Sequence, residues 1–113
     1  MPGKEAGDKV SINAALATKV ISDYTSEWKA ARADLNLEIG HRFNFDRDYQ
    51  KLSGNVGVLK NLPTLYAAQS PKEWFAESFS LYARGGASRE RLESIAPKTA
   101  AAVKTVLTGR IFK

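Results

Sequence analysis

Apolar side chains recur every three or four residues along the first third of the chain, and this spacing limits the fold more than any other feature. The series runs through Ile12, Leu16, Val20, Tyr24, Trp28, Ala31, Leu35, Ile39 and Phe43. Residues at this spacing share one face of an α-helix, whereas a half-buried strand shows strict alternation. Because no convincing alternating segment occurs, we predict a mainly α fold with little or no sheet.

Capping signals divide the chain into about five predicted helices. Asp23-Tyr24-Thr25-Ser26 is rich in N-cap residues, so we expect a break there, between a helix over 10–24 and a second helix that carries 34–46. Ser70-Pro71-Lys72-Glu73 is a capping box and predicts a helix over 71–83, which Gly85-Gly86 ends. Ser88 predicts a short helix to Ile95, and Pro97 begins a last one over 97–107. Glycines and Pro63 mark 53–69 as a loop with at most one short extended piece.

Length and composition are those of one globular domain. The chain has 113 residues, of which 43% are hydrophobic and 26% charged. We predict a flexible tail over 1–9 and a single helical domain over 10–113. No apolar stretch approaches the roughly 20 residues that a membrane span needs. The start of the chain lacks the pattern of a signal peptide, so we expect a cytoplasmic protein or a component of an assembled particle.

The residue types present restrict the possible chemistry. The chain has no cysteine, so a metal site would have to use His41, carboxylates or a tyrosine. The formal net charge is +5, but Lys and Arg are scattered and form no basic run or phosphate-binding loop. We therefore interpret them as a solvated basic surface and expect no nucleic-acid site, with weak affinity for an acidic partner as the alternative.

Three segments carry a pattern typical of metal chemistry. Leu37-Glu38-Ile39-Gly40-His41 has the form HExGH, with leucine in place of the first histidine. In that motif two histidines share one helix face and hold zinc, and the glutamate between them activates the metal-bound water. Glu73 and Glu77 are one helical turn apart, and Tyr66 stands seven residues before Glu73.

Together these segments resemble the zincin-like metallopeptidase domain of the anthrax lethal factor type, in which HExGH precedes a helix of the form E-F-F-A-E-A-F. The likeness covers 35–113 and includes Glu90-Arg91-Leu92 and Ala96-Pro97-Lys98-Thr99. The resemblance implies metal-ligand positions at His41 and Glu73, a general base at Glu38 and a metal-facing hydroxyl at Tyr66. It also implies that Glu77 supports a ligand histidine.

Two departures from that family change the expectation. Leu37 removes the first ligand, because its side chain has no lone pair, and we expect either no cofactor or weakly bound zinc. Only 36 residues precede the motif, too few for the substrate-binding sheet of a complete zincin. The chain therefore resembles the helical, metal-binding half of that fold without its other half.

Each motif residue also has a structural interpretation. His41 would be a hydrogen-bonded structural histidine, Tyr66 a packed aromatic ring, and Glu73 the N3 partner of Ser70. Glu77 would pair with His41 or with an arginine. We assign the other aromatic side chains of this region to the core: Phe43, Phe45, Trp74, Phe75, Phe79 and Tyr82.

Three functions follow from these observations, and the third and weakest of them is a basic nucleic-acid binder. The first is an inactive, degenerate zincin-like domain that acts as a structural or protein-interaction module in a phage particle or toxin assembly. Such a module would have a protein partner or form a homo-oligomer, with no membrane contact. The second is an active gluzincin-type peptidase in which another group supplies the missing ligand and Glu38 activates water.

Overall fold

The computed structural model describes residues 13–109, and this part of the chain is mainly helical and contains no strand. Its α-helices are α1 (Ala14–Ile39), α2 (Phe45–Leu52), α3 (Pro71–Arg84), α4 (Gly86–Ile95) and α5 (Pro97–Leu107). Two 3-10 helices, Val56–Leu59 and Tyr66–Gln69, lie between α2 and α3. The prediction of a mainly α fold with about five helices is confirmed. The predicted tail over 1–9 lies outside the described residues, among which no helix is long and apolar enough to cross a membrane.

Helix α1 is continuous, so the predicted break near Asp23 is wrong. Asn13 caps the helix by accepting a hydrogen bond from the Leu16 N–H. The residues expected to start a new helix are used inside this one: Ser26 Oγ donates to the Asp23 carbonyl at 3.0 Å, and Asp23 pairs with Lys19 at 2.6 Å. Side chains of this kind favour caps only when no bond within the helix or tertiary contact competes.

The core lies where α1, α3, α4 and α5 meet. Trp74, Leu92 and Val103 are fully buried there, and Ala31 and Leu35 of α1 pack into the same cluster. The predicted core aromatics belong to it: Phe43, Trp74 and Tyr82 are buried, and Phe45, Phe75 and Phe79 pack against it. Burial of this apolar surface is the main favourable term in folding.

A chain of hydrogen bonds crosses the core and fixes the start of α5, which has no cap of its own. The Glu27 carboxylate of α1 accepts hydrogen bonds from the Lys98 N–H at 3.0 Å and the Thr99 N–H at 2.6 Å. It also accepts one from Thr99 Oγ1 at 2.6 Å, and Thr99 Oγ1 accepts one from Trp74 Nε1 at 2.9 Å. We call Glu27, Trp74 and Thr99 the buried junction. A distant glutamate therefore supplies the cap that this helix needs.

Beyond α2, which was not predicted as a separate helix, the boundaries differ little from the prediction, with two exceptions. Helix α3 begins with the Glu73 N–H donating to Ser70 Oγ at 3.2 Å, as the capping signal predicted. Helix α4 begins at Gly86 rather than at Ser88. The irregular 53–69 stretch contains two 3-10 turns instead of an extended piece, and Arg91 of α4 holds it by donating to the carbonyls of Leu59, Leu62 and Pro63.

Candidate functional site

Helix α1 ends before His41, so the Leu37–His41 motif does not lie on one helical face. The helix terminates at Gly40, which has a left-handed φ of 79° and whose N–H donates to the Asn36 carbonyl. The expectation that one helix carries 34–46 is therefore wrong. Leu37 and Glu38 are exposed in the last turn, with Leu37 81% exposed, and His41 follows in the connection to α2. We call Leu37, Glu38, Gly40 and His41 the α1 turn.

The partner of His41 is a buried aspartate. Nε2 of His41 lies 3.2 Å from Oδ2 of Asp48, which is 2% exposed. Asp48 also accepts hydrogen bonds from Arg47 Nε, from Arg47 Nη2 and from the Asn44 N–H, each at 2.9 Å. The hydrogen bonds from Arg47, followed by that from Asn44, hold the pKa of Asp48 well below its usual range. The motif did not predict that Asp48 is the common hydrogen-bonding partner of His41, Asn44 and Arg47.

Tyr66 is part of an aromatic cluster. Its ring meets Phe45 edge-on at a centroid distance of 5.2 Å and Tyr49 at 6.1 Å, a favourable geometry for aromatic pairs. The ring is half-exposed and lies at the start of the second 3-10 helix. This placement accords with the packed-aromatic interpretation of Tyr66.

Glu73 and Glu77 share α3, as the one-turn spacing predicted, but they have different surroundings. Glu77 Oε1 accepts a hydrogen bond from Thr64 Oγ1 at 2.7 Å, rather than pairing with His41 or with an arginine. Within 13–109, the Glu73 carboxylate forms no hydrogen bond or ion pair, and only its N–H serves the Ser70 cap.

The residues with implied metal roles therefore share no common partner within 13–109: His41 is hydrogen-bonded to Asp48, whereas the Glu73 carboxylate has no such contact. Across 13–109, no three His, Cys, Asp or Glu side chains are placed to hold one metal ion. The ligand roles of His41 and Glu73, and the catalytic roles of Glu38 and Tyr66, stay predictions from the resemblance. Comparisons with protein-family models, with curated proteins and with solved structures find no match for this chain.

A groove of about 550 Å³ opens between the two 3-10 turns and α4. Its aliphatic lining consists of Val56, Leu59, Pro63 and Leu65. Lys60 and Arg91 also line it, and among residues 13–109 no carboxylate does. Val56 is 80% exposed. We call this feature the aliphatic groove. Apart from Arg91, its lining comes from 53–65, a stretch that the sequence analysis interpreted only as a loop.

Two shallow depressions on another side of the molecule meet at Arg42. The first, of about 310 Å³, lies along α1, and the second, of about 290 Å³, lies beside α2. Their cationic side chains are Lys29, Arg32, Arg42, Arg47 and Lys51, which we call the basic face. Burial, and secondly the charge of Arg42, lower the pKa of Arg32 from its usual value. The scattered basic residues of the sequence are thus gathered in part by the turn between α1 and α2.

Proposed function

We propose that the chain is a non-catalytic protein-interaction module of degenerate zincin-like origin, and that its aliphatic groove binds a segment of a partner protein. The partner segment carries aliphatic side chains next to carboxylates. The observation that carries this proposal is the groove itself, an open, mostly apolar depression whose described lining includes two cationic residues and no carboxylate. A phage particle or toxin assembly is the setting that the sequence resemblance implies for such a module.

The size and lining of the groove suit a short peptide segment. A volume of about 550 Å³ lies within the range of protein binding pockets, which are mostly apolar with a few placed polar groups. Val56 exposes most of its side chain at the groove and would be shielded from water when a partner is bound.

Charge complementarity selects the chemistry of the partner. The guanidinium group of Arg91 donates to three carbonyl groups, so its positive charge faces no described carboxylate. Lys60 has only a long ion pair, 3.7 Å from Glu38 Oε1. A partner carboxylate near these cations gains attraction, whereas a partner lysine is repelled.

The surroundings of the motif residues support a module rather than a peptidase. Leu37 offers no metal ligand, and the histidine of the motif lies beyond the helix end, beside Asp48. Glu77 is occupied by Thr64. His41 and Glu77 are thus hydrogen-bonded to different residues. This arrangement supports neither a shared set of metal ligands nor a carboxylate placed to activate water.

Peptide binding measured by fluorescence anisotropy tests the proposal. The probes are labelled peptides of alternating Leu and Glu, of alternating Leu and Lys, and of alternating Ser and Glu. We expect the Leu–Glu peptide to bind best, because only it matches both the aliphatic walls and the cations. A Val56→Glu variant should weaken its binding about tenfold or more, equivalent to roughly 1.4 kcal/mol.

Leu107→Glu is the matched control, because Leu107 is an exposed aliphatic residue of α5 that does not line the groove. It should leave the affinity unchanged. Equal binding of the Leu–Lys peptide, or equal loss in both variants, would remove the groove from the proposal. Zinc-dependent hydrolysis of any of these peptides by the unmodified protein would contradict the non-catalytic assignment.

A further inference from the structure

The basic face holds an excess of positive charge that the fold does not neutralise. Within the part of the chain that the structure describes, its two depressions are lined by five cationic side chains and by one carboxylate, that of Asp48. The chain as a whole carries a formal net charge of +5, so this face has an excess nearly as large as that of the entire chain.

The cations on this face differ in how far they are already engaged. Arg47 pairs with Asp48 at 2.9 Å, and Arg32 donates to the carbonyls of Phe43 and Ala68. By contrast, Lys29, Arg42 and Lys51 are exposed and form no ion pair with any carboxylate of 13–109. The face therefore has three cations without an ion pair within 13–109 and two that hydrogen bonds or an ion pair hold in place.

The composition of the face distinguishes between classes of partner. A protein–protein interface has an apolar core depleted in charge, and the aliphatic groove fits that description. The basic face does not: its one large apolar side chain, Trp28, is half-buried, with the guanidinium carbon of Arg32 5.6 Å from its ring centroid. Cations without an apolar core suit a phosphate backbone, whose binding is mainly electrostatic.

We propose that the basic face binds nucleic acid through its phosphate backbone, without reading the base sequence. Lys29, Arg42 and Lys51 bind phosphates directly, and the side chain of Arg32, fixed by its two carbonyl acceptors, adds to the positive potential between them. This proposal goes beyond the protein-interaction function and rests on a different surface, so either can fail without the other.

Anisotropy measurements with labelled duplex DNA and labelled single-stranded RNA, over a range of salt concentrations, test this inference. We expect binding at ~50 mM salt that weakens steeply as salt rises, because bound phosphates release their counterions. The triple variant Lys29→Gln, Arg42→Gln, Lys51→Gln should bind at least about tenfold more weakly. It should also reduce the log–log salt slope by about one for each phosphate that is no longer bound.

The matched control is Lys72→Gln, Arg84→Gln, Lys104→Gln, which removes the same charge from exposed side chains outside the face. It should retain nearly all the affinity, and circular dichroism should show both triple variants folded. Failure of both nucleic acids to bind at low salt would overturn the proposal, as would equal losses in the two triple variants. Polyglutamate that displaces the probe as effectively, charge for charge, would make the partner an acidic protein and also overturn it.

Discussion

The buried junction and the α1 turn are both polar regions attached to α1, but the fold holds them very differently. In the buried junction, Trp74 is 1% and Thr99 0% exposed, and one carboxylate of Glu27 accepts three hydrogen bonds. In the α1 turn, Leu37 and Glu38 are exposed and the His41 ring is hydrogen-bonded to Asp48. A substitution should lower the stability of this protein most where it removes the partner of a buried hydrogen-bonding group. Resemblance to a catalytic motif does not identify such positions.

The physical basis of this difference is desolvation. The hydrogen bond between Trp74 and Thr99 lies in the core, where water cannot replace a missing partner, so its loss leaves a buried polar group unsatisfied. The hydrogen bonds from Thr99 to Glu27 are partly buried, and the one from the Lys98 N–H is exposed. At the α1 turn water can solvate whatever a substitution leaves behind. We therefore expect large effects on stability from the buried junction and small ones from the α1 turn.

The largest effect should come from Trp74→Ala. The substitution removes a fully buried ring and the hydrogen bond to Thr99, and buried aromatic-to-alanine changes cost about 3–5 kcal/mol. Urea unfolding followed by circular dichroism measures the loss. Trp74→Phe retains most of the ring and should cost clearly less. A loss below about 1 kcal/mol for the alanine variant would show that the core relaxes around the cavity.

Removal of the carboxylate at Glu27 should have the next largest effect. Glu27→Ala leaves the N–H groups of Lys98 and Thr99 without their acceptor, and we expect a loss of about 2 kcal/mol. Glu93→Ala is the control, because Glu93 is an exposed glutamate of α4 and should change stability by no more than about 0.5 kcal/mol. Equal losses in the two variants would mean that water caps α5 as well as Glu27 does.

Local signals predicted the parts of the fold that depend on neighbouring residues. The Ser70 cap of α3 and the proline that begins α5 are signals within one turn, and both predicted helix starts are confirmed. The N–H groups at the start of α5 are nevertheless capped by the distant Glu27, which no local signal indicated. The continuity of α1 could not be predicted in this way. Its middle is held by Glu27, which caps residues 98–99, and by Trp28, whose indole N–H donates to the carbonyl of Ala68. Such distant interactions override a local capping preference.

The end of α1 illustrates a different error. Gly40 is a residue typical of a helix C-terminus, and its positive φ fulfils that role. The prediction gave more weight to the metal motif than to the glycine, and so extended the helix past His41. Arg42, which follows this turn, lines both depressions of the basic face and so connects the cations along α1 with those beside α2.

Asp48 provides a pH-dependent test beside the α1 turn. Its pKa is depressed in the folded state, so its ionised form contributes stability at pH values above its unfolded pKa near 3.9. That contribution is lost as the pH falls through the folded pKa. We expect the melting temperature to fall below about pH 4 in the unmodified protein, and to fall less steeply in Asp48→Asn. Asp46→Asn, at an exposed neighbour, should retain the full pH dependence. Parallel curves for all three proteins would contradict the role of Asp48.

The smallest expected effect on stability belongs to Leu37→His, which restores the histidine pattern of the zinc motif. Leu37 is 81% exposed, so its replacement should change the free energy of unfolding by no more than about 0.5 kcal/mol. Because Gly40 ends the helix, histidines at 37 and 41 do not share a helical face, and we expect no stoichiometric zinc by metal analysis. The Leu37→His, His41→Ala double variant is the control. One zinc per chain in the single variant, absent from the double variant, would mean that the metal can extend α1 through His41. The α1 turn would then be a zinc site that lacks only the ligand at position 37. Its difference from the buried junction would come from that one side chain rather than from the end of the helix at Gly40.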